Sequence, residues 1–191
     1  MDSNCVVLGS AQPKTVVALD ITCVYFTAKR LGISINYRAL KNVLCDFIRL
    51  PMAEVKFIGV TASVDSNKGQ QIFLGRLDNE GIQVARLAAI PGRSYYTAEL
   101  VAAAMLEELE EGPFGTPEIV LVTSDPSIVA CLDMLGEAGI ECSLAYFFSD
   151  MPAMVAKSIE RGDVATFYDL DTHLEELKMD PERLRMMDDA V

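Results

Sequence analysis

Val16-Val17-Ala18-Leu19-Asp20-Ile21-Thr22-Cys23 and, about a hundred residues later, Ile119-Val120-Leu121-Val122-Thr123-Ser124-Asp125-Pro126-Ser127 are built alike: a short apolar run that ends in polar residues around one aspartate. Each run is nearly continuous in Val, Ile, Leu and Ala, which is how a strand covered on both faces of a parallel sheet reads. Four further runs share this character, at 55–61, 84–90, 142–148 and 164–170. Amphipathic stretches of helical period lie between them, at roughly 25–31, 37–50, 68–79, 96–111, 127–138 and 154–161. Strand-length runs alternating with helices predict an α/β three-layer sandwich around a central, mainly parallel sheet.

Punctuation agrees with that order. Asp125-Pro126 is placed to cap a first helical turn, with proline at the first helical position. Gly139 follows Glu137-Ala138 where a left-handed residue closes a helix. The Gly- and Pro-rich loop 111–117 reads as an internal connection, because a chain cut there leaves the sheet half built. One domain over 15–170 is expected, preceded by an N-terminal extension, 1–14, and followed by an acidic, mobile tail, 171–191.

Of the 191 residues 51% are hydrophobic and 23% charged, enough apolar surface for a real core and too much for a disordered chain. The net charge of −12 is uneven: residues 1–100 carry 11 basic and 8 acidic groups, or +3, and residues 101–191 carry 5 and 20, or −15. So acidic a surface excludes general nucleic-acid binding and leaves room only for a local basic patch. Five widely spaced cysteines without a CxxC pair, and one histidine, His173, exclude a structural zinc site and a histidine-dependent triad. The cysteines read as buried thiols of a reduced, cytoplasmic protein. No secretory leader pattern opens the chain and no apolar run is long enough for a membrane span.

Ligands of open parallel sheets sit beyond the carboxyl ends of the strands, where the strand order switches. Asp20 and Asp125 are both delivered to that rim, with Thr22, Ser124 and Ser127 as polar neighbours. Each could merely cap the helix behind it. Together they repel unless a cation lies between them, and hard oxygen ligands favour Mg²⁺ or Mn²⁺. Neither GxGxxG nor GxxxxGK[ST] occurs, so no nucleotide-cofactor motif is present and a Rossmann-type binder is the weaker reading.

An apolar strand ending in Asp20, an amphipathic helix, and later Thr123-Ser124-Asp125 before another helix resemble the NYN branch of the PIN-like nucleases over residues 15–170. That resemblance implies a PIN-like fold and a metal-dependent endoribonuclease ancestry. The family pattern departs in this chain at several places: its Asp-x-x-Asn is met by Asp20 and Cys23, an acidic position at the central helix by Thr97, a further one by Ala103, and its second late Asp by Ser127. Asp20 and Asp125 remain as implied metal and catalytic ligands, with Glu99 as a third candidate. A depleted acidic cluster implies a weak or inactive ribonuclease relative that acts by binding RNA or protein, with an active Mg/Mn-dependent ribonuclease as the alternative.

Lys29, Arg30, Arg38, Lys41 and Arg49 against Asp46 give residues 29–49 a local charge of +4, with Tyr25, Phe26 and Tyr37 nearby. Basic groups interleaved with aromatics suit single-stranded RNA. Arg93 and Tyr95, before the central helix, are further candidates for contact at the rim. A different class of function, a homodimer or protein-interaction module, is suggested by the small apolar surface of Ala102, Ala103, Ala104 and Met105 and by nine methionines.

Overall fold

Residues 15–63, 68–88, 99–102, 118–137 and 139–180 are described by the structure, a computed structural model. The elements are β1 (Thr15–Asp20), α1 (Ile21–Arg30), α2 (Tyr37–Ile48), β2 (Val55–Ser63), α3 (Lys68–Asn79), β3 (Gln83–Ala88), β4 (Glu118–Val122), α4 (Ile128–Glu137), β5 (Cys142–Tyr146), α5 (Ala153–Arg161), β6 (Phe167–Asp169) and α6 (Leu174–Leu177). Residues 99–102 are helical and precede β4.

All six strands join one sheet in the order β3-β2-β1-β4-β5-β6, and every pairing is parallel. Period-two alternation then sorts the core into two halves. Val17 and Leu19 of β1 face a cluster supplied by α1, α2, α3 and α6, while Val16 and Ala18 face one supplied by Leu100, Val101, α4 and α5. The molecule is therefore a three-layer α/β sandwich, as the continuous apolar runs predict, and all six β1 residues are buried. Strand order reverses between β1 and β4, which makes their carboxyl ends the switch point of the sheet.

Several boundaries differ from the sequence expectation, each for a local reason. Helix α1 begins at Ile21 and not near Tyr25, because the Asp20 carboxylate accepts the Cys23 N–H and caps the chain as it leaves β1. Gly59 of β2 permits that tight junction: a Cβ there would lie 3.0 Å from Ile21 Cγ1, so the first turn of α1 rests directly on the strand. Strand β5 stops at Tyr146 and Phe148–Asp150 forms a 3₁₀ turn, while β6 shortens to three residues. Gly139 closes α4 with φ of 73° and an N–H donated to Gly136 O, as its position suggested.

Residues 171–180, expected to open a mobile tail, are held against the core. Leu170 and Leu177 are fully buried, Asn36 N–H donates to Leu177 O at 2.9 Å, and Met179 N–H donates to Ser34 O at 2.8 Å. Leu170, Leu174 and Leu177 recur at helical spacing and all three join the core beneath α2, an apolar stripe that the surrounding acids conceal in the sequence.

Candidate functional site

The two aspartates singled out by the sequence do meet the same rim, from adjacent central strands, but their surroundings differ. Asp20 is only 2% exposed. Its Oδ1 accepts the Cys23 N–H at 2.8 Å, whereas Oδ2 is buried with no hydrogen-bond partner among the described residues. Burial pushes the Asp20 carboxyl up to about 6; the Cys23 N–H pulls it down, the Asp125 charge raises it again, and Thr22 and Thr123 ease it slightly. None of these forms a hydrogen bond of ordinary geometry to Oδ2.

Asp125, also buried, is better provided for. Its Oδ1 accepts the Ser127 N–H at 3.1 Å, its Oδ2 accepts the Ser127 hydroxyl at 2.5 Å, and its own N–H donates to Thr123 Oγ1 at 3.2 Å. Ser127, where the resemblance calls for a second late carboxylate, thus spends its hydroxyl on the remaining one.

Cys23, where the resemblance calls for asparagine, is turned into the protein. Its Sγ lies 3.3 Å from Ser124 Oγ and 3.2 Å from Tyr146 Oη, and Ser124 N–H donates to it at 3.4 Å. The chain of contacts continues from Tyr146 through Thr27 to Asp150, which Arg30 grips with Nε and Nη2. Burial pushes the Tyr146 phenol well above its ordinary value, and the Arg30 hydrogen bond holds Asp150 below the ordinary carboxylate range against the effect of its partial burial. This network ties α1 to the ends of β4 and β5, and its members Thr27, Tyr146 and Asp150 sit on three separate segments with no common motif, so local spacing carried no sign of it.

The basic residues divide. Lys29 is exposed near the end of α1, and Arg30 stays on the rim side because Asp150 follows β5. Arg38 and Lys41 do not flank the rim. Arg38 Nε pairs with Glu80 Oε2 at 3.2 Å, and Lys41 Nζ donates to Glu80 O at 2.7 Å and lies over the ring of Phe57. Glu80 precedes β3 and Phe57 is near the start of β2, so both cations sit at the opposite, amino edge of the sheet. Helix α2 runs away from the rim after the 31–36 connection, which the proximity of residue numbers hides.

Glu99 is half-buried at the start of its helical segment, on the sheet face that carries α4. Burial raises the Cys131 thiol, and the Asp125 and Glu99 charges raise it further. Among the described residues no three side chains of His, Cys, Asp or Glu gather as a metal would require. Arg93, Tyr95 and Thr97, together with Ala103, Ala104 and Met105, lie outside the described residues; Ala102 is exposed while Leu100 and Val101 are buried. No helix among the described residues is long and apolar enough to cross a membrane.

The strand order matches that of dinucleotide-binding sheets, yet β1 passes to α1 without an intervening residue, leaving no loop in which backbone N–H groups could cradle a pyrophosphate.

No family model matches the chain, and a search of curated proteins found no match. Among solved structures the chain is similar to a protein of unknown function, VPA0982 from Vibrio parahaemolyticus RIMD 2210633, with a TM-score of 0.65 at 12% identity over 94% of this chain and 100% of that one. The likeness is one of fold.

Proposed function

We propose that this chain is a divergent NYN/PIN-like domain that binds single-stranded RNA at the carboxyl rim of its sheet and cleaves it weakly or not at all. The observation that carries the reading is the pair of buried carboxylates at the switch point, one of them with an oxygen that has no hydrogen-bond partner among the described residues. An unsatisfied buried carboxylate oxygen beside a second negative charge costs stability unless something positive arrives. Mg²⁺ fits the donor set in a limited way, since it accepts one or two carboxylates and completes its shell with waters and substrate phosphate. Asp20 Oδ2 is the oxygen available to it, with Asp125 as the second ligand once the Ser127 hydroxyl releases Oδ2. When bound, such an ion supplies charge neutralisation at a phosphate and can activate water.

Cys23 and Ser127, turned to structural hydrogen bonds, favour binding over turnover. Exposed Lys29, with Arg30 held beside it by Asp150, supports contact with an RNA backbone near this rim. A labelled single-stranded RNA with millimolar Mn²⁺ tests the proposal. The expected result is EDTA-sensitive binding with no accumulating product. Cleavage by the wild type that an Asp125→Asn variant lacks would instead establish an active nuclease, and absence of any binding would remove the RNA reading.

A further inference from the structure

Beside the aspartate rim, between α1, the end of β2 and α3, lies a groove of about 450 Å³. Ile21, Thr22, Tyr25 and Phe26 form one side, Thr61 and Ala62 the end of the strand, and Gln70, Phe73 and Leu74 the other side. Three features distinguish it from an ordinary crevice between helices. None of its described lining residues is charged, in a protein of net charge −12. Two large aromatics of α1, Tyr25 and Phe26, stand 51% and 45% exposed at its wall, with ring centroids 5.4 Å apart in an edge arrangement. Its polar groups are neutral: the Thr22 and Thr61 hydroxyls, 3.2 Å apart, and the Gln70 amide, which donates to Ala62 O at 2.6 Å.

Exposed aromatic rings beside neutral donors and acceptors suit a planar, uncharged, hydrogen-bonding group. A phosphate would find no cation among the described lining residues, whereas the Thr22 and Thr61 hydroxyls and the Gln70 side-chain oxygen keep lone pairs that a base edge could use and an aliphatic chain could not. Thr22 is two residues from Asp20, so an occupant of the groove lies next to whatever meets the carboxylate rim. We propose that the groove is a nucleobase subsite: the base of one nucleotide stacks against Tyr25 or Phe26 and meets Thr22, Thr61 or Gln70 with its edge, while its phosphate points out toward the Asp20–Asp125 rim. This rests on the RNA reading above and specifies which part of the RNA is recognised on the β2 side.

The test compares a short oligouridylate with the same oligomer carrying abasic sugars, so that phosphate number is constant. Stacking of one base on an aromatic is worth about tenfold in affinity. The wild type is expected to prefer the base-bearing oligomer by about that factor, Phe26→Ala with Tyr25→Ala to erase the preference, and Phe26→Tyr to retain it. The affinity for the abasic oligomer is expected to stay unchanged, and both rings are exposed enough for the variants to fold, as a thermal melt checks. Equal binding of the two oligomers by the wild type overturns the subsite and leaves the RNA reading intact.

A second arm keeps the two separable if no oligomer binds. Free uridine and adenosine, which carry no phosphate, are titrated while the ring resonances of Tyr25, Phe26 and Phe73 are followed. Nucleoside-dependent shifts that Phe26→Ala abolishes support the subsite even then. Silence with nucleosides, or shifts with N-acetyl-leucinamide alone, overturns it and assigns the groove to an apolar peptide side chain.

Discussion

The β1–α1 and β4–α4 junctions are the same device at the same rim, an apolar strand handing an aspartate to a helix, yet they handle their charge in opposite ways. At β4–α4 a short turn separates strand from helix, and Ser127 within that turn occupies both oxygens of Asp125. At β1–α1 there is no turn: Asp20 is the last strand residue and the helix cap at once, and among the described residues only one of its oxygens accepts a hydrogen bond. The contrast lies in where the hydroxyl two residues on is spent: Ser127 turns back to Asp125, whereas Thr22, at the same offset from Asp20, pairs with Thr61 across the groove. One aspartate is a satisfied cap, and the other is a cap with an unmet electrostatic demand, which is where a ligand has most to offer.

The tightness itself depends on Gly59, so the largest effect should come from filling that space. Gly59→Val sets branched carbons against Ile21, already 3.0 to 3.2 Å from a hypothetical Cβ together with Ile82. Overpacking of that severity costs about 3 kcal/mol. Denaturant unfolding should show the loss. Stability equal to wild type would mean that α1 is free to ride up, and the distinction between the two junctions would lose its structural basis.

Asp20→Asn should act next most strongly, and in the favourable direction. The folded carboxyl at about 6 against an ordinary 3.8 means that the native state holds its proton more tightly than the unfolded chain. Stability therefore falls as pH rises between those values, and the whole penalty is present at neutral pH. Asparagine removes the charge and still caps a helix. The variant should gain on the order of 2 kcal/mol near pH 7 and nothing below pH 3.8, with the gain appearing as the pH passes between. Saturating Mn²⁺ should narrow the gap by stabilising the wild type alone. A variant less stable than wild type near neutrality would show that Asp20 is as well satisfied as Asp125.

Asp125→Asn is the counterpart, and its sign should be reversed. An amide can keep both contacts only as neutral bonds, its oxygen accepting the Ser127 N–H and its N–H donating to the rotated Ser127 hydroxyl, so losing the charge-assisted pair costs about 1 kcal/mol. Ser127→Ala should cost less in stability and leave Asp125 Oδ2 without the serine hydroxyl, which should strengthen Mn²⁺ binding measured by titration calorimetry. Opposite signs for two Asp→Asn substitutions on one rim are the sharpest form of the comparison.

The sheet was legible because its signal is one-dimensional. Largely apolar runs at 16–19, 55–61 and 119–123, nearly continuous in the first and last, report two-sided burial without reference to anything distant. The convergence of Asp20 and Asp125 was legible for the same reason, since the end of each strand is marked where its apolar run stops. What escaped depends on directions the sequence does not encode locally. Arg38 and Lys41 look adjacent to Asp20 by number, but α2 carries them to Glu80 at the far edge. Leu174 and Leu177 hide among acids because four residues of amphipathic helix hold too few turns to show a period. The polar path from Cys23 to Arg30 joins side chains more than a hundred residues apart, so it exists only once β1, β4 and β5 are neighbours.

That path supplies the smallest and most local test. Arg30 is half exposed at 52% while Asp150 is 17% exposed, so solvent screens the pair and its contribution should be about 0.5 kcal/mol. Arg30 holds the Asp150 carboxyl below its ordinary value, which means that the stabilisation is present above the ordinary carboxylate range and is lost as pH falls through the lowered folded value. Arg30→Met keeps the apolar stem and removes the guanidinium. The stability difference between wild type and variant should be constant from neutral pH down to about pH 5 and then close as Asp150 is protonated. Both differences close in acid but from opposite signs, since Asp20→Asn is the more stable chain at neutral pH and Arg30→Met the less stable one. A single acid titration of the two variants therefore separates a carboxylate that an arginine satisfies from one whose second oxygen has no hydrogen-bond partner among the described residues.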